Sequence, residues 1–441
     1  MNWKWIIAAL GILAAAFLIQ SDLLAYAMYT LLTIIVVSRF LTNRWVQALQ
    51  VERSCSKLVA NINDHIGVSL ELVNTGALPI PWVLLEDALP TRALLYDPPS
   101  LDVQDSRVKL TMLRPNQNKQ LQYSFICNRR GYYQLGPTVL ETGDLFGLHR
   151  RYQIAAAPQF LTVYPRIVPL DGYDLASRRP IGEIKMTHRL FEDPTRIAGV
   201  RAYQDGDPLN RIHWRATART GQLHSKIYEA SSVAGVTIMM EFRREAYPQD
   251  SEPFRSELAV TAATSIANAV QVMGQQVGLI TNGRDAADRI RVEGWEGKPV
   301  ALETRSAAHA AAEIDEKNDR LQPVQIPTRR DSEQFHRIRE TLARVELTDG
   351  LTFPQLVIEM QSRIPRDATV LAIIPSNNDQ TTISLQNMAR RGFAVSVMVN
   401  VFDPIDYALI SSPLISAGIE TYHLRDEESI VHVCRKQVVR L

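Results

Sequence analysis

Cysteine is almost missing from this chain: 441 residues hold three, Cys55, Cys127 and Cys434, far apart and without Cys-x-x-Cys spacing. That count excludes a disulfide framework and a cysteine-built zinc site, and it suits a reducing compartment. Net charge is almost missing too. With 48 Lys and Arg against 47 Asp and Glu the formal charge is +1, so no global field steers the chain toward nucleic acid or anionic lipid. Absent as well are Gly-x-x-x-x-Gly-Lys-Ser/Thr, Gly-x-Gly-x-x-Gly, Gly-x-Ser-x-Gly and His-Glu-x-x-His, and the nine histidines do not pair at ligand spacing. The common nucleotide-binding, hydrolase and metalloprotease classes lose their motifs with them. No cofactor, no catalytic residue and no nucleic-acid partner is expected.

What is present reads as globular. The composition is 46% hydrophobic and 22% charged, and the length suggests two or three domains. The N-terminus is the exception. Two apolar runs, Ile6–Ile19 and Leu23–Val37, flank Gln20, Ser21 and Asp22. A single helix of ~34 residues would run about 51 Å against a hydrocarbon core of about 30 Å. It would also hold Asp22 near mid-bilayer, at about 2.5–3.5 kcal/mol. Two spans joined at the polar tip avoid both penalties, so residues 1–45 are expected to form a transmembrane α-hairpin in contact with membrane lipid. Lys4 precedes the first span, Arg39, Arg44 and Arg53 follow the second, and the tip has no Lys or Arg. The positive-inside rule puts both ends, and the soluble domains, in the cytoplasm. A cleaved signal peptide is the competing reading, but it leaves the second apolar run without a role.

Residues 50–165 carry short alternating runs at Ile66–Val73, Val108–Leu113, Gln120–Phe125 and Phe160–Tyr164, separated by turn signals at Asn74-Thr75-Gly76, Arg114-Pro115-Asn116, Arg130-Gly131 and Thr142-Gly143-Asp144. Period-two alternation with regular turns reads as an all-β sandwich. Pro79 and Pro81 cannot donate to a central ladder, which places their strand at an edge. Arg129-Arg130-Gly131-Tyr132-Tyr133 reads as turn chemistry, with a basic-aromatic nucleic-acid surface as the competing reading. Asp144 to His149 reads as a compact turn stapled by Phe146.

Residues 166–232 form a connecting block. In it an acidic turn, Asp205-Gly206-Asp207-Pro208, precedes Arg211-Ile212-His213-Trp214-Arg215. As a strand, the latter presents Arg211, His213 and Arg215 on one face and Ile212 and Trp214, packed into a core, on the other. Residues 170–230 hold ten Lys and Arg against eight Asp and Glu, a near balance that favours internal ion pairs over a phosphate-binding patch. An acid–base or metal cluster of Asp205, Asp207 and His213 is the enzymatic alternative. The neighbouring arginines would depress its carboxylates and repel a cation. The expected role is a structural latch, with a partner surface as the next reading.

Residues 233–441 alternate apolar strands, at 236–240, 276–280, 369–374 and 394–399, with helices at 256–273, 331–345, 353–363 and 380–391. Such alternation indicates an α/β doubly wound, mostly parallel sheet. Residues 294–330 read as an irregular polar insertion.

Arg201 to Arg219, followed by Leu223 to Glu229, resembles the core motif of the domain of unknown function 58 family. Its signature positions here are Arg201, Tyr203, Asp205, Gly206, Asp207, Arg211, His213, Trp214, Arg215 and Arg219. The stretch from Asn74-Thr75-Gly76 to Asp87, the stretch Arg129–Tyr132, the stretch Thr142–Gly147 and the N-terminal hairpin resemble that family in the same order, so the likeness covers residues 1–240. It implies a bacterial inner (cytoplasmic) membrane protein with a β domain and a von Willebrand factor A-like domain. It also implies a non-enzymatic scaffold or adaptor, working with a MoxR-type AAA+ ATPase and a transglutaminase-like membrane protein in envelope-protein maturation. The alternative is a divalent-metal-dependent, adhesion-type binding module. A metal site of that fold needs an Asp-x-Ser-x-Ser loop after the first strand, where this chain has Glu241-Phe242-Arg243-Arg244-Glu245. Glu241 and Asp379 are the degenerate remnants expected of such a site, with Arg243 or Arg244 paired to them in place of a cation.

Overall fold

Two hydrophobic periods, one of two residues and one of three to four, build two units. The computed structural model describes Gly11 and residues 22–95, 98–147, 149–170, 192–203, 212–230, 235–287, 301–302, 322–365 and 368–432. The chain divides into residues 1–165 with 285–318, and residues 166–284 with 319–441.

The first unit begins with helix α1 (Asp22–Ala48). Its stretch Tyr26–Ala48 is long and apolar enough to cross a membrane. The other half of the expected hairpin lies outside the described residues. α1 has two regimes. Leu23, Tyr26, Val36 and Val37 are exposed, whereas Ser38, Thr42, Trp45 and Val46 are buried. The buried four recur at helical spacing and so form one stripe. The helix therefore continues past residue 45 and ends docked on the β-rich unit.

That unit contains β1 (Leu49–Cys55), β2 (Val59–Asn61), β3 (His65–Asn74), β4 (Ile80–Asp87), β5 (Leu101–Val103), β6 (Val108–Leu113), β7 (Asn118–Cys127), β8 (Gly131–Leu135), β9 (Thr138–Gly143), β10 (Arg150–Ala156) and β11 (Gln159–Tyr164). They form sheets in the orders β1-β3-β7-β5 and β10-β9-β4-β6, with the two-residue strand Ala301–Leu302 beside β10, and a third sheet β2-β11-β8. β3 alternates buried and half-exposed residues along its length. Ile66, Leu70 and Phe125 of the first sheet, Val83, Leu85 and Leu140 of the second, and Leu135 and Val163 of the third share one core.

The expectation that Pro81 marks an edge strand is corrected. β4 lies between β9 and β6. Its pairing with β6 slips between Ile80 and Val83, and that bulge is where a residue without an N–H fits inside a sheet. Phe146 is no staple either, because its side chain points to solvent.

A buried ion pair crosses this core. Arg53 Nε donates to Asp87 Oδ2 at 3.2 Å, and Nη2 donates to Oδ1. Tyr123 Oη donates to Oδ2 at 2.6 Å and Thr138 Oγ1 to Oδ1 at 3.0 Å. Arg53 Nη1 reaches the carbonyls of Leu135 and Ala157 at 2.9 and 2.8 Å. Both side chains are buried, so a charge here is tolerable only because every lone pair has a donor. Burial, with the Asp87 carboxylate adjacent, pushes the Tyr123 hydroxyl far above the ordinary phenol range. Cys55 and Cys127 are free thiols.

The second unit opens with an antiparallel hairpin, β12 (Glu192–Ala202) and β13 (His224–Ala230), enclosing the short helix α2 (Trp214–Thr220). A mixed six-stranded sheet follows: β14 (Gly235–Met240), β15 (Gln276–Thr281), β16 (Val324–Arg329), β17 (Ala368–Ile374), β18 (Ala394–Val399) and β19 (Glu420–His423). The order is β16-β15-β14-β17-β18-β19, parallel except for β16 at one edge. Helices cover both faces. Val236, Ile238 and Met240 of β14 pack with α3 (Phe254–Val272), α4 (Gln334–Arg344) and α8 (Glu427–His432), while Met239 packs with α5 (Phe353–Met360), α6 (Asp379–Arg390) and α7 (Pro404–Ser416). Such double-sided burial explains why β14 is buried at every position.

The polar insertion expected at 294–330 is corrected at its end, since β16 is an ordered strand there. Its pattern is hidden by Pro327. The prolyl residue sits where the β15–β16 register slips between Val277 and Leu279, on an edge strand that needs no donor on its outer side.

Candidate functional site

Three places gather the residues that the sequence singles out. The first is the foot of α1. Thr75, in the turn after β3, donates to the Ala48 carbonyl through its backbone N–H and its hydroxyl, each at 2.9 Å. The turn is built by Asn74. Its Nδ2 donates to the carbonyls of Leu78 and Arg114 at 3.0 Å, and its Oδ1 accepts from the Gly76 N–H at 3.0 Å. A Cβ on Gly76 would lie 2.8 Å from Ala48 Cβ, so only glycine lets the turn close on the helix end.

Ten residues earlier on α1, the Ser38 hydroxyl donates to Asp144 Oδ2, which also accepts from the His149 N–H at 2.8 Å. Trp82 Nε1 donates to the Asp144 carbonyl at 3.2 Å. A Cβ on Gly143 would meet the His149 carbonyl at 2.6 Å and Trp82 Cζ2 at 2.8 Å. Two stretches that looked like simple turns, Asn74–Gly76 and Thr142–Asp144, thus form one clamp around the apolar helix. Sequence reasoning missed this role. The signal was that both pair a glycine with a side chain able to bond backbone, the chemistry of close approach.

The second place is the crevice at the carboxyl ends of β14 and β17. Here the sheet order reverses, where doubly wound folds bind ligands. Glu241 follows β14 and is 7% exposed. Its N–H donates to the Ile373 carbonyl at 3.0 Å, and its carbonyl accepts from Tyr247 Oη at 2.8 Å. Among the described residues nothing donates a hydrogen bond to its carboxylate. Burial raises the Glu241 pKa to about 7, and the Arg243 guanidinium offsets part of that rise.

The expected pairing of an arginine with Glu241 or Asp379 is corrected. Arg243 pairs with Glu245, and Arg244 lies 3.9 Å from Asp349. Asn282 and the backbone of this loop hold each other. Asn282 Oδ1 accepts from the Phe242 N–H at 2.6 Å, and Nδ2 donates to the Leu351 carbonyl at 2.7 Å. Asp379 is exposed in the first turn of α6, behind the N-cap Asn378, whose side chain accepts from Thr381 N at 2.8 Å. The donor set fits a divalent cation poorly: one buried carboxylate beside a guanidinium, with Arg243 and Glu245 where hydroxyl ligands would stand. Among the described residues no three of His, Cys, Asp and Glu converge on a common point.

The third place is the signature block. Asp205, Gly206, Asp207 and Arg211 lie outside the described residues. Arg201 lies in β12, where its Nη1 donates to the Ala202 carbonyl at 3.1 Å, and the Tyr203 N–H donates to the Leu223 carbonyl at 2.9 Å. Ile212 is buried and bridges to Ser225.

The strand expected across 211–215 is corrected after Ile212, because Trp214, Arg215 and Arg219 lie in α2. His213 is its N-cap, with Nδ1 accepting from the Ala216 N–H at 3.0 Å. Gly221, at φ 72°, ends the helix, its N–H donating to the Thr217 carbonyl at 2.9 Å. Ala216, Ala218 and the left-handed glycine were the helix signals that the short apolar alternation concealed. Trp214 consequently leaves the core and is 68% exposed. Among the described residues neither Arg215 nor Arg219 meets an acidic partner.

Comparison with known proteins adds the following. Solved structures with local likeness include the CARDB domain of a Pyrococcus furiosus protein, 13% identical over 26% of this chain and 86% of that one, with a TM-score of 0.17. Proximal thread matrix protein 1 of the mussel byssus is 6% identical over 46% of this chain and 47% of that one, with a TM-score of 0.28. Neither bears on the fold at such scores. The uncharacterized protein YeaD of Bacillus subtilis (strain 168) is 24% identical over 298 residues, 64% of this chain and 71% of its own. Residues 199–294, which hold both the signature block and the Glu241 crevice, match the family described as Protein of unknown function DUF58.

Proposed function

We propose that this chain is a membrane-anchored, non-enzymatic scaffold of the DUF58 family, with a β-sandwich and a von Willebrand factor A-like domain that bind protein partners in the bacterial cytoplasm. The observation that carries the reading is the clamp. The Asn74–Gly76 and Thr142–Asp144 motifs are spent on fixing an apolar helix to the β-rich unit, which is the chemistry of an anchor. The A-like assignment is supported by the strand order, third-second-first-fourth-fifth-sixth with the third antiparallel. The non-enzymatic part is supported by His213, whose Nδ1 is occupied as a helix cap. It is supported too by the arginines beside Glu241, which leave that crevice suited to surface contacts.

The partners we propose are a MoxR-type AAA+ ATPase and a transglutaminase-like membrane protein, in envelope-protein maturation. Affinity purification of the full-length chain from detergent extracts tests this. Co-purification of such an ATPase is the expected result, and recovery of no ATPase and no envelope protein would sink it. The two-span topology predicts that a reporter fused at Leu441 scores as cytoplasmic. Calorimetry that finds Mg²⁺ binding, abolished by Glu241→Ala, would replace the scaffold with the metal-dependent module.

A further inference from the structure

We infer that the loop following β9 dips into the bilayer interface, where Leu145 and Phe146 make a second apolar contact with lipid beside the point at which α1 leaves the membrane. The inference rests on the reading of α1 as a membrane span. Leu145 is 77% exposed and Phe146 70% exposed, two adjacent large apolar side chains at the tip of a turn that is otherwise firmly held. The Asp144 N–H donates to the His149 carbonyl at 3.1 Å, the His149 N–H returns a bond to Asp144 Oδ2 at 2.8 Å, and Gly147 turns the chain at φ 71°. Two adjacent large apolar side chains on a hydrogen-bonded turn offer a surface to something apolar.

The position of the loop identifies what that is. Ser38 donates to Asp144, and Arg151 Nε donates to Asn43 Oδ1 at 3.1 Å. The loop therefore lies against the turns of α1 around residues 38–43. Immediately before Ser38 the helix exposes Leu31, Ile34, Val36 and Val37; from Ser38 onward its stripe is covered by protein. Ser38 thus marks the level at which protein begins to cover the helix, with Phe40 the last large apolar residue left exposed beyond it, and the loop tip stands beside that level.

Length points the same way. From Asp22 to Phe40, the last large apolar residue exposed on the helix, α1 rises about 27 Å, a little short of a hydrocarbon core of about 30 Å. A short span is accommodated by drawing flanking apolar surface into the interface or by thinning the bilayer, and Leu145 and Phe146 are the flanking apolar surface. Charge agrees. Arg39 and Arg44 are exposed on α1 within two turns of Ser38, where guanidinium groups meet anionic headgroups. The occupant is therefore lipid, continuous with the surface around α1.

Photocrosslinking of the full-length chain in native membranes tests this. p-Benzoylphenylalanine is placed, in separate samples, at Leu31, at Phe146, and at Leu110, an equally exposed residue of β6. Lipid adducts are then read by mass spectrometry. Phospholipid adducts are expected at positions 31 and 146, with at least about tenfold less at position 110, since only apolar groups at the interface insert. Adducts at 31 but not at 146 overturn the loop contact and leave the span standing. Adducts at neither position overturn both. Crosslinks from 146 to protein in place of lipid overturn the inference in favour of a protein partner.

Discussion

Thr75 grips the end of α1 at a single atom: its N–H and its hydroxyl both donate to the carbonyl oxygen of Ala48. The last carbonyls of a helix lack intrahelical donors, so the β3–β4 turn completes the helix as well as holding it. Asp144 grips the same helix at Ser38. Asp144→Ala is expected to cost about 1–3 kcal/mol, because the variant leaves the Ser38 hydroxyl and the His149 N–H without their acceptor. Amide exchange at residues 38–48 should accelerate in the variant. Unchanged exchange there would mean that the clamp does not hold the helix.

The Arg53–Asp87 pair makes a stronger demand. Asp87→Ala strands a buried guanidinium together with the hydroxyls of Tyr123 and Thr138. The expected loss is about 3–5 kcal/mol, visible as a fall in the thermal midpoint of the β-rich unit. A midpoint within error of wild type would show that the pair is not sealed from water.

Glu241 gives the α/β unit a pH dependence of definite sign. Its folded pKa, about 7, lies above its ordinary 4.5, so between those values the native state binds more protons than the unfolded state. Stability is then lost as pH rises from about 4.5 to about 7. Glu241→Gln should remove that slope. The variant is expected to match wild type near pH 4.5 and to be more stable by about 3 kcal/mol at pH 8. Parallel melting curves for the two proteins across this range would refute the burial argument.

Ile212 and Trp214, two residues apart, should respond oppositely to truncation. Ile212→Ala opens a cavity and is expected to cost about 2–4 kcal/mol, whereas Trp214→Ala removes an exposed ring and should change stability by less than about 0.5 kcal/mol. If Trp214→Ala leaves the melting midpoint unchanged but lowers partner recovery in affinity purification, the ring belongs to a binding surface. A large drop in midpoint would return it to a core.

The elements legible in the sequence were those whose burial follows a clean period. β3 alternates, and β14, β15, β17 and β18 are continuous apolar runs, because each faces one environment or two buried ones. The obscured elements were those broken by a proline or completed by distant chain. Pro81 and Pro327 each sit in a bulge, a feature of two strands together that neither strand announces alone. Trp214 looked like a core residue because alternation over five residues cannot be told from the first turn of a helix, and the deciding signal, Gly221, lies beyond that window. The clamp was invisible for a different reason. Thr75, Gly76 and Asp144 act on a helix 27 to 106 positions earlier, and no local pattern encodes a partner at that distance.

The helix clamp has a geometric consequence. α1 has no joint between its exposed apolar residues and its docked ones, so the compass direction of every exposed side chain before Ser38 is fixed relative to the β strands. Inserting one residue between Val37 and Ser38 would swing that apolar face by about 100° while leaving the clamp intact. The direction in which the helix presents that face would change, though no residue of either surface had been altered. The β-rich unit is in this sense a rudder for the helix, and the heading is set by residue count alone.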